Sequence, residues 1–191
     1  MTVEHSLADD DRHRIVAAVH DELARWGIDR FDAGAMADRH GLDLAVIRQH
    51  WPDPEDLILD ALAQRPGYDT PLPDTGSLRT DLFALAQRMA GMVTSEEGRK
   101  LHGGHLIADT HIASVGVRRT AWRTRASSLG RVFDQARRRG ELREDVDHAT
   151  ALELLFAPIN MRALYTGEAV DDAYCETVAD LVCRAVSTVD Q

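Results

Sequence analysis

Apolar residues recur at three- and four-residue steps along most of this chain, with no convincing strand-like alternation. The first stripe, Ile15, Val16, Val19, Leu23 and Trp26, predicts a helix from about Asp9 to Trp26. Asp9, Asp10 and Asp11 suit the positive end of its dipole, and Gly27 closes it. Trp26 and Phe31 are expected in the core, where large apolar side chains usually lie. Two short helices follow. Met36 and Ala37 are apolar on the first, Gly41 can take the left-handed conformation that ends it, and Leu42 is the apolar residue of the turn. Asp43 can cap the second helix, whose inner face carries Ile47 and Trp51, four residues apart. Asp53 and Pro54 open a fourth helix with Leu57, Ile58, Ala61 and Leu62 as its stripe.

The run from Arg65 to Gly76, RPGYDTPLPDTG, holds three prolines and two glycines and cannot continue a helix. It divides the chain into residues 1–64 and residues 77–191. Beyond it, Ser77 is positioned to cap a helix lined by Leu78, Leu82, Leu85, Ala86, Met89 and Val93. Ser95, Glu96 and Glu97 start another, weakened at Gly103 and Gly104. A long helix is expected from Val115 to Arg139, stopping at Gly140. Asp147 opens the next, through Leu152, Leu155, Phe156, Ile159 and Leu164, with a kink at Pro158. Asp171 opens the last, with Tyr174, Val178, Leu181, Val182 and Ala185. The fold class is therefore all-α, about nine helices, with a three-helix N-terminal head and a C-terminal helical body.

Two short helices joined by a glycine turn form the helix-turn-helix plan, whose second helix can lie in a DNA major groove. The stretch FDAGAMADRHGLDLAVIRQHW, residues 31–51, resembles the DNA-binding domain of the tetracycline-repressor (TetR) family. That family shows an Ile-Ala pair, a Gly-Val turn, a short helix ending in an aromatic, and then Pro-Ser-Lys-Glu-x-Leu. The matching residues are Met36-Ala37, Gly41-Leu42, Trp51 and Pro52-Asp53-Pro54-Glu55-Asp56-Leu57. Arg12, Ile15, Ala18 and Gly27 fit the family's first helix, and LGRVFDQARRRGELREDVDHATALELL, residues 129–155, resembles a helix junction of one C-terminal subgroup. The resemblance implies a ligand-responsive transcriptional repressor that binds operator DNA as a homodimer, with a C-terminal ligand-binding and dimerisation domain. The alternative is a TetR-like small-molecule-binding or accessory protein that has lost DNA binding.

Charge sharpens that alternative. The chain carries a net −10, and residues 1–64 hold fourteen acids against six arginines, a net −8. DNA affinity rests heavily on phosphate neutralisation by Lys and Arg, so the few cations must converge on one face. In the family's register the recognition helix presents Asp43, Leu44, Ala45, Arg48, Gln49 and His50 as the DNA-facing residues. Arg48 and His50 can donate to phosphate, Gln49 can pair with an adenine edge, and Ala45 permits close approach. Asp43 and Pro54 stand where the family places a donor and a lysine, and Leu44 puts an exposed apolar group in place of a cation.

For the body, the resemblance places an effector cavity among the middle helices, and Met89, Met92, His105, Trp122, Phe156, Asn160, Met161 and Tyr165 are candidates to line it. His102, His105 and Asp109 share a helical face, but a two-histidine pair lacks the further ligands a metal needs, so no metal site is assigned. Arg118, Arg119, Arg123, Arg125, Arg131, Arg137, Arg138 and Arg139 crowd the long helix and read as a solvated face, the alternative being an anion-binding patch for an acidic effector. A homodimer is expected through the last two helices, from Leu152, Leu155, Phe156 and Ile159 on one and Val178, Leu181, Val182 and Ala185 on the other. There is no P-loop, GxGxxG, GxSxG or HExxH motif, so neither catalytic residues nor a cofactor are assigned. Cys175 and Cys183 are expected as free thiols. With no apolar run of about 20 residues and an acidic N-terminus, the chain is expected in the cytoplasm without a membrane partner.

Overall fold

The computed structural model describes residues 9–64, 71–96, 98–99 and 112–188, with the side chains of residues 112–114 outside that description. The chain forms two compact units, one of residues Met1–Asp69 with Ile107–Ala121, the other of Thr70–Leu106 with Trp122–Gln191. The described residues hold eight α-helices and no strand beyond an isolated bridge between Leu142 and Ser187. Of the helix expected from Ser95, residues 96, 98 and 99 are helical and the remainder lies outside the described residues.

The first unit contains α1 (Asp9–Trp26), α2 (Ala33–His40), α3 (Leu44–His50) and α4 (Pro54–Ala63). Each boundary has a local cause. Asp32, Asp43 and Asp53 each accept a backbone N–H at the start of α2, α3 and α4, from Ala35, Ala45 and Glu55. Such caps satisfy donors that a helix start otherwise leaves free. The core gathers Ile15, Val16, Val19 and Leu23 of α1 with Met36, Ala37, Ile47, Trp51, Leu57, Ile58 and Ala61. Trp26 does not join it and is 48% exposed. It is the last residue of α1, and after Gly27 turns the chain, Ile28 takes the buried position beyond it. Phe31 is half-buried.

The second unit is built from α5 (Leu78–Thr94), the part of α6 (Ile112–Arg138) from Trp122 onward, α7 (His148–Asn160), a π-helical turn (Met161–Thr166) and α8 (Asp172–Val186). Asp147 and Asp171 cap α7 and α8 through the N–H groups of Thr150 and Tyr174. Pro158 lies inside α7, so the C=O of Leu154 has no i+4 donor, and the wide π turn begins three residues later. Of the side chains expected to form a subunit interface, Leu181 and Ala185 are exposed, while Leu152, Leu155, Phe156, Ile159, Val178 and Val182 are buried within the unit's own core. They pack with Leu78, Leu82, Leu85 and Val93 of α5 and with Leu129, Val132 and Phe133 of α6. Leu181, also expected at the interface, does face outward, and Leu154, Met161 and Tyr165 join it, each of the four more than half exposed. Cys175 is buried, which pushes its thiol pKa up, and Cys183 is half-buried; both are free.

A charged cluster closes the start of α5. Ser77 occupies the cap position but its hydroxyl makes no cap bond. The Leu78 N–H instead donates to Glu141 Oε2 at 2.6 Å, from 63 residues downstream. Asp81, fully buried, accepts from the Thr75 N–H at 2.7 Å, from the Thr75 hydroxyl at 2.8 Å and from Arg139 at 3.1 Å. Arg139 also donates to Glu141 at 2.9 Å and to Asp74 at 3.3 Å. The sequence reading set Arg139 on the long helix's solvated face. It lies one residue past that helix, where the chain turns at Gly140 with φ 78°, and that turn brings it onto Asp81. Arg118 also departs from that face, pairing at 3.5 Å with Asp29 of its own unit.

Candidate nucleic-acid interface

The turn between α2 and α3 is set by backbone geometry. Gly41 sits at φ 62°, ψ 40°, a left-handed conformation in which a side chain is strained, and the Leu42 N–H returns to the Ala37 carbonyl at 2.9 Å. Asp43 Oδ1 then accepts the Ala45 N–H at 2.8 Å, which starts α3.

The far end of α3 is clamped. Trp51 Nε1 donates to Asp60 Oδ2 at 3.1 Å, Arg12 donates to the same oxygen at 2.7 Å, and Gln64 donates to Asp60 Oδ1 at 2.8 Å. The Arg12 guanidinium also lies 5.9 Å from the Trp51 ring centroid. One carboxylate of α4 thereby holds α1 and the aromatic that ends α3. Asp60→Ala is expected to cost about 2 kcal/mol, the scale of lost hydrogen bonds to a charged group, as measured by urea unfolding. A loss within error would show the clamp to be incidental.

With Ile47 buried beneath it, α3 turns Ala45, Arg48 and Gln49 outward. No described hydrogen bond or ion pair engages the Arg48 or Gln49 side chains, whereas Asp43 is exposed but occupied by its cap. His50 is half-buried, edge-on to Trp51 with ring centroids 6.1 Å apart. Leu44 is half-buried, not exposed as the sequence reading had it. A Cβ added at Gly34 would lie 3.8 Å from its Cδ2, so the side chain folds back onto α2.

The head's charges are largely spent internally. Arg12 pairs with Asp60, Arg14 with Asp11, Arg25 with Asp21 and Arg39 with Glu22. Arg39 grips the buried Glu22 with two donors and holds its carboxyl below the usual carboxylate range; burial opposes that shift, and His40 adds to it. Among the described residues 9–64, Arg30 and Arg48 are the exposed arginines without an acid partner. Arg30 was missed by sequence reasoning, although the only acid beside it in sequence, Asp29, points elsewhere, to Arg118. The acidic surplus has a structural reason: Asp32, Asp43 and Asp53 serve helix starts, and Asp11, Asp21, Glu22 and Asp60 answer arginines.

Of the expected effector residues, Met89, Met92, Trp122 and Phe156 lie in or against one core, and others stand elsewhere. His105, with His102 and Asp109, lies outside the described residues. Met89 and Met92 are half-buried against the core, Phe156 is buried, and Met161 and Tyr165 are 53% and 75% exposed. Asn160 Oδ1 is buried without a partner among the described residues. Trp122 stacks edge-on to Phe156 at 6.4 Å and donates to Glu153 at 2.9 Å. It also borders a cleft of about 340 Å³ lined by Arg123, Ala126, Ser127, Gly130, Asp134, Asp147, His148 and Ala149. His148 is stacked on Phe133 at 5.2 Å, and its Nε2 is buried without a partner among the described residues.

Comparison with known proteins places this geometry. Residues 72–182 match the family described as "Tetracyclin repressor-like, C-terminal domain". The HTH-type transcriptional regulator YdeS of Bacillus subtilis (strain 168) is 31% identical over 185 residues, 95% of this chain and 91% of that protein. The HTH-type transcriptional regulator AqdR of Rhodococcus erythropolis is 24% identical over 157 residues, covering 82% of this chain and 75% of that one. Among solved structures, the TetR family transcription regulator SCO0332 is 25% identical and matches with a TM-score of 0.67, over 93% of this chain and 99% of that one.

Proposed function

Because the chain belongs to the tetracycline-repressor family of transcriptional regulators, we propose that it is a ligand-responsive repressor that binds operator DNA as a homodimer. One observation carries the DNA part of this reading. The recognition helix is fixed at both ends, by Asp43 and by Trp51 on Asp60, while Arg48 and Gln49 stand exposed and unengaged on its outer side. Clamped helices that present free donors suit base and phosphate recognition. Selection from a random-sequence duplex pool at low salt tests it. An enriched palindrome supports a dimeric repressor. No enrichment by a folded dimer favours the second reading, a small-molecule-binding or accessory protein with a vestigial head.

The effector side rests on the cleft beside Trp122, which combines an aromatic wall with Arg123, Asp134, Asp147 and the half-buried imidazole of His148. A mixed apolar and polar lining is what small-molecule sites use to fix orientation. An effector there would act by favouring a dimer whose heads no longer match the operator spacing, a population shift between two states. The relatives are regulators, not enzymes, and binding alone accounts for the reading. No helix among the described residues is long and apolar enough to cross a membrane, in keeping with a cytoplasmic DNA partner.

The dimer surface we propose keeps Leu181 from the pattern read in sequence and otherwise uses residues that pattern left outside. Leu154, Met161 and Tyr165 recur on the outer side of α7 and the π turn, and Leu181 is exposed on α8. The two helices pack together, so they offer a surface for a second copy. Light scattering is expected to give a dimer for the natural chain and a monomer for Leu154→Glu combined with Leu181→Glu, with helicity unchanged. A dimer that survives both charges would remove this surface from consideration.

A further inference from the structure

We propose that Asp21, Glu22 and His40 form a site for a divalent transition-metal ion of the zinc class, clamping α1 to the end of α2. His40 is the last residue of α2, immediately before the Gly41 turn, and Asp21 and Glu22 are successive residues on α1. One ligand atom from each lies within 4.8 Å of the other two. His40 Nε2 is 3.3 Å from Glu22 Oε1 and 3.6 Å from Asp21 Oδ2. Tetrahedral zinc, with bonds of about 2.0–2.2 Å to nitrogen and oxygen, separates neighbouring ligand atoms by about 3.3–3.5 Å. Two edges of the trio thus already approach that spacing.

The surroundings suit a resident ion better than a chance surface cluster. Glu22 is 1% exposed, and its carboxylate is oriented by Arg39, whose Nε donates to Oε1 at 3.0 Å and whose terminal nitrogen holds Oε2. Oε1 keeps a second lone pair, and a group that fixes a ligating carboxylate from behind is the usual outer support of a metal site. Asp21 is steadied in the same way by Arg25 at 3.1 Å. Asp21 and His40 are partly exposed, so an ion reaches the trio from solvent and water completes the coordination. Binding requires the neutral imidazole with its proton on Nδ1, which leaves the Nε2 lone pair facing the two carboxylates.

The test is zinc binding by the full chain. Equilibrium dialysis is expected to give one tightly held Zn²⁺ that is lost in His40→Ala and in Asp21→Asn and kept in His105→Ala. Circular dichroism checks that each variant is folded. Co²⁺ in place of zinc is expected to show the intense visible bands of tetrahedral coordination, absent in His40→Ala. No bound zinc, zinc retained by folded His40→Ala, or zinc lost in His105→Ala would each overturn the assignment. Asp21→Asn supplies a second reading if His40→Ala fails to fold, and retention there overturns it equally.

Discussion

Arg48→Ala is expected to abolish operator-specific binding while leaving the head folded. The expectation follows from how few cations the head has to spend. Arg12, Arg14, Arg25 and Arg39 are each committed to an acid, which leaves Arg48 as the arginine presented by the recognition helix itself. A good bidentate base contact is worth about 1–3 kcal/mol of discrimination, and a phosphate contact adds salt-dependent affinity. With no lysine or second arginine on α3 to compensate, losing Arg48 removes the main charge-assisted contact in each half of a dimer. The salt dependence should also be shallow. With Arg30 and Arg48 as the free arginines among the described residues of each head, two heads neutralise about four phosphates, a slope of about −3.6 in log affinity against log salt. Binding assays on the selected site across a salt series measure both quantities. Normal binding by Arg48→Ala would discard this register for the recognition helix. A slope twice as steep would mean that other cations reach the backbone.

Legibility from sequence followed the range of the interactions. Asp43, Asp53, Asp147 and Asp171 could be read as caps because their partners lie two or three residues away. The Gly41 turn was legible for the same reason. Ser77 looked equally good, yet its helix start is satisfied by Glu141, a partner that only the folded chain supplies. Periodicity found α7 but not which of its residues face outward. Leu152, Leu155 and Phe156 form one stripe and Leu154, Met161 and Tyr165 another, and packing against α5, α6 and α8 decided between them. The same limit applies to the sites. The register of Arg48 and Gln49 could be read from the turn, but the idle state of Arg30 and Arg48 depended on tertiary ion pairs. The proposed metal-ligand trio joins His40 to residues 18 and 19 positions upstream, and the cleft beside Trp122 borrows His148 from the next helix.

The buried cluster at α5 gives the largest expected effect on stability. Arg139→Ala should cost about 3–5 kcal/mol, the range for removing one partner of a buried pair. The reason is Asp81, fully buried, which would keep its two bonds from Thr75 but lose its cation. Glu141 would lose its partner as well, and with it the orientation that lets it cap α5 through the Leu78 N–H. Arg137→Ala is the matched control, because its 3.8 Å pair with Asp134 is solvent-exposed and worth less than about 1 kcal/mol. The variant should also respond differently to acid. Hydrogen bonds from Arg139 hold the Glu141 carboxyl below the usual range; burial opposes that shift, and the Leu78 N–H adds to it. A carboxylate whose folded pKa is depressed stabilises above its unfolded value, about 4.3, and that stability is lost as pH falls through the folded value. The natural chain should therefore lose stability on acidification below about pH 5, and Arg139→Ala, already without the main cause of the shift, should lose less over the same interval. Urea unfolding of the natural chain, Arg139→Ala and Arg137→Ala at neutral pH and near pH 4 reads both effects. If Arg139→Ala cost no more than Arg137→Ala, Asp81 would be satisfied by Thr75 alone and the arginine would be a surface partner.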